Sequence, residues 1–503
     1  MPTPHTPRPR AVAPHPLTAV AGLLTDAVVS VDSGGVVVTG VTHDSRAVVP
    51  GDLYVGLPGS QSHGADFAGA ARDAGAAAIL TDRPGPHPLP SVVVERPRAV
   101  LGKVAAFIYG EPSRAIDVVG VTGTNGKTTT AYLLEAGLRA AGRRTGLIGT
   151  VETRVGDRVL PSAHTTPEAP DLQALLAVMR EDGVDAVAME VSSHGLALGR
   201  VDGTRYAAAI FTNLSQDHLD FHADMDDYFK AKAKLFEGGR SQVAVINVDD
   251  PAGERLLHMT RLPVTTTSAT ARPVADWQAA DIRHEPRGTT FRVLGPAGED
   301  VVVHTGLTGD FNVANALGAL AALASIGIDV GAAAAGIGAL DGVPGRLERV
   351  AAGQDWVAVV DYAHTPDSVE SVLRTLRPIT RGRLIAVLGC GGDRDRAKRP
   401  LMGRAMATYA DVAVVTSDNP RSEDPQAIID AMLTGACEAD AEVHVEVDRH
   451  AAIDLAVSLA RPGDVLALLG KGHEQGQTFA DRTTPFDDRL VLREAIRRSG
   501  GDR

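Results

Sequence analysis

The stretch Val118-Val-Gly-Val-Thr-Gly-Thr-Asn-Gly-Lys-Thr-Thr-Thr130 joins an apolar run, a glycine-rich turn and the start of a helix-periodic segment. Backbone N–H groups in such a turn, with the positive end of the helix behind it, form a cradle for phosphate oxygens. Gly123, Thr124, Asn125, Gly126, Lys127, Thr128 and Thr129 are therefore the candidate ATP contacts. Lys127 would reach the terminal phosphates and Thr128 a magnesium ion. The strict G-x-x-x-x-G-K-T spacing puts glycine at position 121, where this chain has Val121, so an unrelated tight turn is the competing reading.

Glu190 closes the apolar run Val187-Ala-Met-Glu190 and precedes Val191-Ser-Ser-His-Gly195. A carboxylate at the carboxyl end of a strand beside a phosphate loop suits a magnesium ligand; a surface Glu is the alternative. The next strand-like run, 207–211, leads into Thr212-Asn-Leu-Ser-Gln-Asp-His-Leu-Asp-Phe-His222, a polar loop dense in metal-capable groups. In a helix over 226–237, Tyr228, Lys232, Leu235 and Phe236 share one face and Asp226, Lys230, Lys234 and Glu237 the other. Burial on the apolar face disfavours the ammonium form of Lys232 and lowers its pKa. An uncharged lysine can add carbon dioxide and become a carbamate, an anionic oxygen ligand for a metal. Snorkelling of Lys232 to water is the alternative.

The elements that must position these groups follow from composition and pattern. At 503 residues the chain is long enough for three domains, and 44% hydrophobic with 22% charged residues is an ordinary globular mix. A net charge of −13 gives no general affinity for polyanions, so nucleic acid is not an expected partner. Cys390 and Cys437 cannot build a disulfide framework; they fit a reduced cytoplasmic compartment and are expected to be buried. Only seven of the 49 basic residues are Lys, so each Lys marks a place where a compact, adjustable charge matters. Lys127, Lys398 and Lys471 fall in glycine-rich or turn-rich stretches.

Apolar runs alternate with amphipathic ones, which gives an α/β class. Residues 1–16, Pro-rich and bearing Arg8 and Arg10, form an expected disordered tail. Residues 17–112 make a first unit, 113–344 a central unit with a parallel sheet of the P-loop ATPase type, and 345–503 a doubly wound third unit. The third unit carries apolar runs over 356–360, 384–388, 412–415 and 465–469. Residues 312–340 are mostly Ala and Gly and read as two packed helices rather than a membrane span, so no membrane segment is expected.

Together these segments resemble the Mur ligases of peptidoglycan synthesis over nearly the whole chain apart from the tail. The matching stretches, in family order, are Asp44-Ser-Arg46, Thr122-Gly-Thr-Asn-Gly-Lys-Thr128, Thr165-Thr-Pro167, Glu190-Val-Ser-Ser-His-Gly195 and Tyr228-Phe-Lys-Ala-Lys-Ala-Lys-Leu-Phe236. Gly309-Asp-Phe-Asn312, Gly345-Arg-Leu-Glu348, Asp361-Tyr-Ala-His364, Asp418-Asn-Pro-Arg421 and Gly470-Lys-Gly-His-Glu474 complete them. The resemblance implies a monomeric ATP-dependent amide ligase: ATP phosphorylates a carboxylate, and an amine attacks the acyl phosphate. It implies magnesium held near Thr128, Glu190, His218 and a carbamylated Lys232, with Lys127, Glu190, His218 and Lys232 as the catalytic set. Ser45, Thr165, Thr166, Ser192 and Arg200 match positions that hold a UDP-sugar peptide, while Leu198 stands where some relatives carry Gln. Asn312, Arg346, Asp361 and His364 match positions near the nucleotide.

The later motifs narrow the resemblance to members that add diaminopimelate to UDP-MurNAc-L-Ala-D-Glu. Gly389-Cys-Gly-Gly-Asp-Arg394, Asp418-Asn419-Pro420-Arg421 and Gly470-Lys-Gly-His-Glu474 each follow an apolar strand, hence lie on one edge of the third sheet. Arg394 and Arg421 could pair with a distal carboxylate and Glu474 with a distal ammonium. Loop charges balancing one another, a ligase selecting lysine, a folylpolyglutamate-type ligase, and a silent scaffold relative are the alternatives.

Overall fold

Apolar runs without polar alternation belong to strands covered on both faces, and three sheets of such strands organise the chain. The computed structural model describes residues 7–25, 27–29, 34–162, 164–285 and 288–500. In the first unit five strands lie in the order Val28–Val29, Ser91–Val93, Ala78–Thr81, Asp52–Gly56 and Gly40–Thr42, parallel except for the first pair. The central sheet has eleven strands. Its parallel core runs Thr145–Ile148, Ala186–Glu190, Asp117–Thr122, Ala208–Phe211, Ala244–Asn247, Val264–Ser268 and Trp277–Glu285. Antiparallel strands extend the sheet at both edges.

Helices cover both faces of the central sheet. The phosphate-loop helix Lys127–Ala140 packs with Asp310–Ser325 and Val330–Gly338 on one face, and Ala169–Glu181 lies on the other. The Ala- and Gly-rich stretch is thus two helices, as expected. Its small residues have a packing reason: a Cβ on Gly336 would overlap the carbonyl of Ala136 in the phosphate-loop helix. Close approach fixes that helix against apolar neighbours, each large buried side chain contributing about 1.5–3 kcal/mol. Among the described residues, no helix is long and apolar enough to cross a membrane.

The third sheet has the order Glu348–Arg349, Val357–Asp361, Val465–Leu469, Leu384–Leu388, Val412–Val415 and Glu442–Val445, parallel except at its first edge. The four expected strands are present, the first shifted by one residue. The two edge strands are short and partly exposed, so they lack the apolar signature that betrayed the others. Beneath the carboxyl ends, Arg449 and Asp488 form a fully buried ion pair at 2.6 Å. Arg449 Nη2 also donates to Leu469 O at 2.9 Å, tying that strand end down.

Three expectations need correction. Residues 7–16 are not a loose tail: Arg8 Nη1 donates to Asp52 Oδ1 at 2.6 Å, and His15–Pro16 pairs with Val37–Val38. A buried carboxylate demands a counterion, and composition alone could not reveal that Arg8 supplies it. Residues 1–6 lie outside the described residues. Cys390 is buried but Cys437, just past the helix Pro425–Ala436, is exposed. The helix expected over 226–237 is α-helical over Met225–Ala233 and tightens into a 3₁₀ turn over Lys234–Phe236.

Candidate active site

Strand Asp117–Thr122 buries Val121 completely, so the phosphate loop opens two residues later than the strict motif, at Gly123. Gly123 and Gly126 have φ of 151° and 88°, and a Cβ would overlap Thr212 Oγ1 at the first and Asn315 Oδ1 at the second. Only glycine fits either place. Thr124 N donates to Asn213 O and Asn125 N to Asn213 Oδ1, both at 2.9 Å, which pins the loop to the neighbouring strand end. Lys127 Nζ folds back onto the carbonyls of Gly123 (3.0 Å) and Thr124 (2.8 Å), and burial lowers its pKa.

Glu190, 1% exposed, is fully engaged. Its Oε2 accepts from Thr128 Oγ1 and Thr150 Oγ1 at 3.0 Å each, and its Oε1 from Thr150 N at 2.7 Å. Arg346 Nη2 donates to the same Thr128 hydroxyl at 2.9 Å. Tyr228, Lys232, Leu235 and Phe236 are all buried, as the shared helix face requires. Lys232 Nζ donates to Gly123 O at 2.7 Å and sits 4.4 Å from the Tyr228 ring centre. Burial, reinforced by Lys127, holds its pKa well below the usual lysine value.

This donor set suits a hard cation. A carboxylate and a hydroxyl converge at the phosphate loop, and magnesium takes few protein oxygens alongside water and phosphate. Among the described residues no group of three or more His, Cys, Asp or Glu is clustered as a closed metal cage. An uncharged Lys232 amine on the wall of the same cavity is the chemical form that accepts carbon dioxide.

The cavity, of about 330 Å³, lies between the central and third units. It brings together Thr124 to Thr129, Thr165, Glu190, Ser192, His218, Lys232, Asn312, Arg346, Asp361 and His364. His218 has φ 57°, uncommon for a non-glycine residue, and its N–H donates to Asp217 Oδ1 at 2.9 Å. Burial pushes the His218 imidazole down to about 3. Asp217 faces His364 Nε2 at 3.6 Å and Lys398 Nζ at 3.5 Å, both from the third unit. Burial alone would raise its pKa, but His364, His218 and Lys398 hold it well below the carboxylate range. Asp361 accepts from Leu347 N and Ala363 N, each at 2.7 Å, and so fixes the backbone beside Arg346 and His364.

The diaminopimelate candidates form a second group at the carboxyl ends of adjacent strands. Arg394 and Arg421 flank Gly391, where a Cβ would lie 3.7 Å from Arg394 Cγ and 2.9 Å from Arg421 Nη1. Arg421 has φ 52°; its N–H donates to Thr478 O at 3.0 Å and its Nη1 to Gly392 O at 2.7 Å. Arg394 Nη1 lies 3.8 Å from Asp220 Oδ2 of the central unit. Glu474 Oε2 accepts from Asn419 Nδ2 at 2.8 Å and from the fully buried Lys471 Nζ at 3.0 Å. Lys471 also donates to Asn419 Oδ1 at 3.0 Å and Asp418 Oδ1 at 3.4 Å. Pro420 and Gly470 complete the two loops, Gly470 with φ 106°.

The candidates for the UDP-bearing substrate divide. Thr165 and Ser192 line the cavity, and Thr165 Oγ1 lies 2.9 Å from Thr150 Oγ1. Thr166, 1% exposed, uses its hydroxyl internally, donating to Glu190 O at 3.1 Å and accepting from Ser192 N at 3.0 Å. Its side chain holds the Glu190 strand end and does not face the cavity. Arg200 pairs with Glu168 at 2.8 Å, and Ser45 sits in the first unit, outside the cavity.

Sequence reading missed Asp217, Thr150, Asn213, Asn315 and Lys398 as site residues. Asp217 lay in the flagged loop 212–222 and Lys398 was marked by the scarcity of lysine, whereas Thr150 carried no local signal.

Family models match in three pieces: the Mur ligase family catalytic domain over residues 37–109, the Mur ligase middle domain over 121–323, and the Mur ligase glutamate ligase domain over 345–472. A protein of Streptomyces avermitilis named UDP-N-acetylmuramoyl-L-alanyl-D-glutamate--2,6-diaminopimelate ligase is 56% identical over 507 residues, covering 99% of each chain. A protein of the same name from Corynebacterium glutamicum is 48% identical over 471 residues, covering 90% of each. A solved structure of a ligase of that name superposes with TM-score 0.68 at 33% identity, covering 97% of this chain and 100% of that one. MurF ligase from Thermotoga maritima in complex with ADP shares the fold, with TM-score 0.64 at 18% identity, covering 91% of this chain and 96% of that one.

Proposed function

The chain belongs to the Mur ligase family, and we propose that it carries out the reaction for which its relatives are named. It is an ATP-dependent, ADP-forming ligase that joins 2,6-diaminopimelate to the D-glutamate of UDP-MurNAc-L-Ala-D-Glu in peptidoglycan precursor synthesis. The observation that carries the reading is one cavity in which Lys127, Thr128, Glu190 and Lys232 of the central unit meet Arg346 and His364 of the third.

The glutamyl carboxylate attacks the γ-phosphorus of ATP and ADP leaves. The diaminopimelate amine then attacks the acyl carbon and phosphate leaves. Two anions must meet in the first step, so preorganised positive charge lowers its barrier. Lys127 and Arg346 supply part of that charge, and the loop N–H groups of residues 124–128 orient the phosphates. Magnesium, when bound through Thr128 and Glu190 with His218 and a carbamylated Lys232 near it, supplies the rest. Asn312, Asp361 and His364 shape the nucleotide end. Ser45, Thr165, Ser192 and Arg200 hold the UDP-sugar peptide.

At the adjoining edge Arg394 and Arg421 receive the distal carboxylate of diaminopimelate, and the free oxygen of Glu474 its distal ammonium. Lysine lacks that carboxylate, so it would leave Arg394 with Asp220 alone and Arg421 with the Gly392 carbonyl, without the two added ion pairs. The reaction runs in the cytoplasm, where ATP and the nucleotide-linked precursor are found. The working unit in this reading is a monomer.

The test is a phosphate-release assay on purified protein with ATP, UDP-MurNAc-L-Ala-D-Glu and a panel of amino acids, with products weighed by mass spectrometry. Turnover with diaminopimelate and not with lysine is expected. No ATP consumption with any member of the panel would overturn the reading.

A further inference from the structure

The N-terminal segment preceding the first unit makes polar contacts with two units at once. Arg8 extends its guanidinium into the first unit, where Asp52 is 1% exposed. Arg8 Nη1 donates to Asp52 Oδ1 at 2.6 Å and Nη2 to Ala47 O at 3.2 Å. The other carboxylate oxygen of Asp52 accepts from Val49 N at 2.9 Å. Gly40 makes room for the pair, since a Cβ there would overlap both Asp52 Oδ1 and Arg8 Nη1. Two residues on, the segment reaches the central unit. Arg10 N and Ala11 N donate to the two carboxylate oxygens of Glu181 at 2.9 and 3.2 Å, and Arg10 Nη2 pairs with Asp182 at 3.1 Å.

What the strap holds at each end is specific. Ala47 follows directly on Asp44-Ser45-Arg46, and Ala47 N donates to Asp44 O at 3.0 Å, so Arg8 and Asp52 grip the far side of the turn that carries Ser45. Glu181 ends the helix Ala169–Glu181, whose other end follows Thr165 and Thr166 about 20 Å away. Near that end Glu168 pairs with Arg200 at 2.8 Å and with Arg98 of the first unit at 3.2 Å.

We propose that Arg8 is a positioning residue for the UDP-bearing substrate. Its two-armed contact with Asp52 and Ala47 fixes the Ser45 turn, and the strap through Arg10 and Ala11 sets that turn at a constant distance from the Thr165 segment. The proposal rests on the reading that Ser45 belongs to the UDP-substrate site. Arginine is required because one planar fork serves a carboxylate and a carbonyl together; a lysine ammonium would reach one of them well.

The experiment measures kcat and KM for each of the three substrates in Arg8→Ala, Arg8→Lys, Asp52→Asn, the Arg8→Ala/Asp52→Asn double variant and Ser45→Ala, with melting temperatures alongside. Arg8→Ala should raise KM for UDP-MurNAc-L-Ala-D-Glu about tenfold and leave KM for ATP and diaminopimelate within about twofold. Arg8→Lys should recover part of the loss, and the double variant should lose no more than Arg8→Ala alone. A lower melting temperature with an unchanged KM for the UDP substrate in both Arg8 variants would overturn the proposal. If Arg8→Ala fails to fold, an unchanged KM in Arg8→Lys overturns it by itself. Should Ser45→Ala leave that KM untouched, the reading of the turn fails, a result distinct from failure of Arg8 alone.

Discussion

Asp217 of the central unit and Lys398 of the third meet directly where the two units join, Oδ1 to Nζ at 3.5 Å, both side chains buried. His364, also of the third unit, stands 3.6 Å from the other oxygen of the same carboxylate. One aspartate therefore receives two groups from the third unit, and Gln216 Nε2 adds a hydrogen bond to Asp395 at 3.3 Å beside it.

Lys398→Ala should loosen this latch. Breaking a buried pair leaves an uncompensated charge, so the closed arrangement loses population and kcat should fall about tenfold or more. Small-angle scattering with all ligands present should show a larger radius of gyration for the variant than for the parent. Superimposable profiles would argue that Lys398 plays no part in closure.

Lys232→Ala should lose activity by about a hundredfold or more, since it removes the anionic oxygen that the carbamate would give a bound magnesium ion, whose charge stabilises the transferring phosphoryl group. Added acetate or propionate should restore part of it by supplying a carboxylate where the carbamate stood. Lys232→Arg should gain nothing from either, because a guanidinium does not lose its proton. Full turnover of Lys232→Ala without additives would dismiss the carbamate.

Arg421→Ala should raise KM for diaminopimelate roughly tenfold to a hundredfold, the worth of a hydrogen-bonded ion pair, with KM for ATP unchanged. Lys471→Met should do the same by a different route, since Asp418 and Glu474 then face each other without the ammonium that bonds both. Steady-state kinetics on the three substrates checks both; equal losses for all three would indicate misfolding instead.

Stability should decline in acid through His473. Burial, with Arg346 and Arg489 nearby, pushes its imidazole down to about 3, whereas an unfolded histidine titrates near 6.5. Between those values the unfolded chain binds the extra proton, so stability rises with pH across the window and is lost as pH falls from about 6.5 towards 3. Melting temperatures at pH 7 and pH 5 should differ less in His473→Gln than in the parent. An identical difference in both would show that His473 does not titrate as described.

Some of this architecture was legible in the chain because the relevant physics is local. A strand, a glycine turn and a helix start occupy consecutive residues from 117 to 140, so the phosphate loop could be read directly, and Val121 proved to be strand rather than loop. Helical periodicity placed Lys232 among Tyr228, Leu235 and Phe236, and burial followed. The short edge strands and the anchored residues 7–16 escaped because neither carries a run of apolar residues.

The sequence by itself determined which groups can do chemistry, that parallel sheets of the central and third units carry them, and which strand ends carry the charged loops. Only the tertiary structure decided which of those groups meet. Lys398 and Asp217 are 181 residues apart, and Arg8 and Asp52 are 44 apart. No periodicity or turn preference links such distant positions; their pairing depends on how preformed units dock, on which buried carboxylate is left without a partner, and on which cation the fold delivers to it.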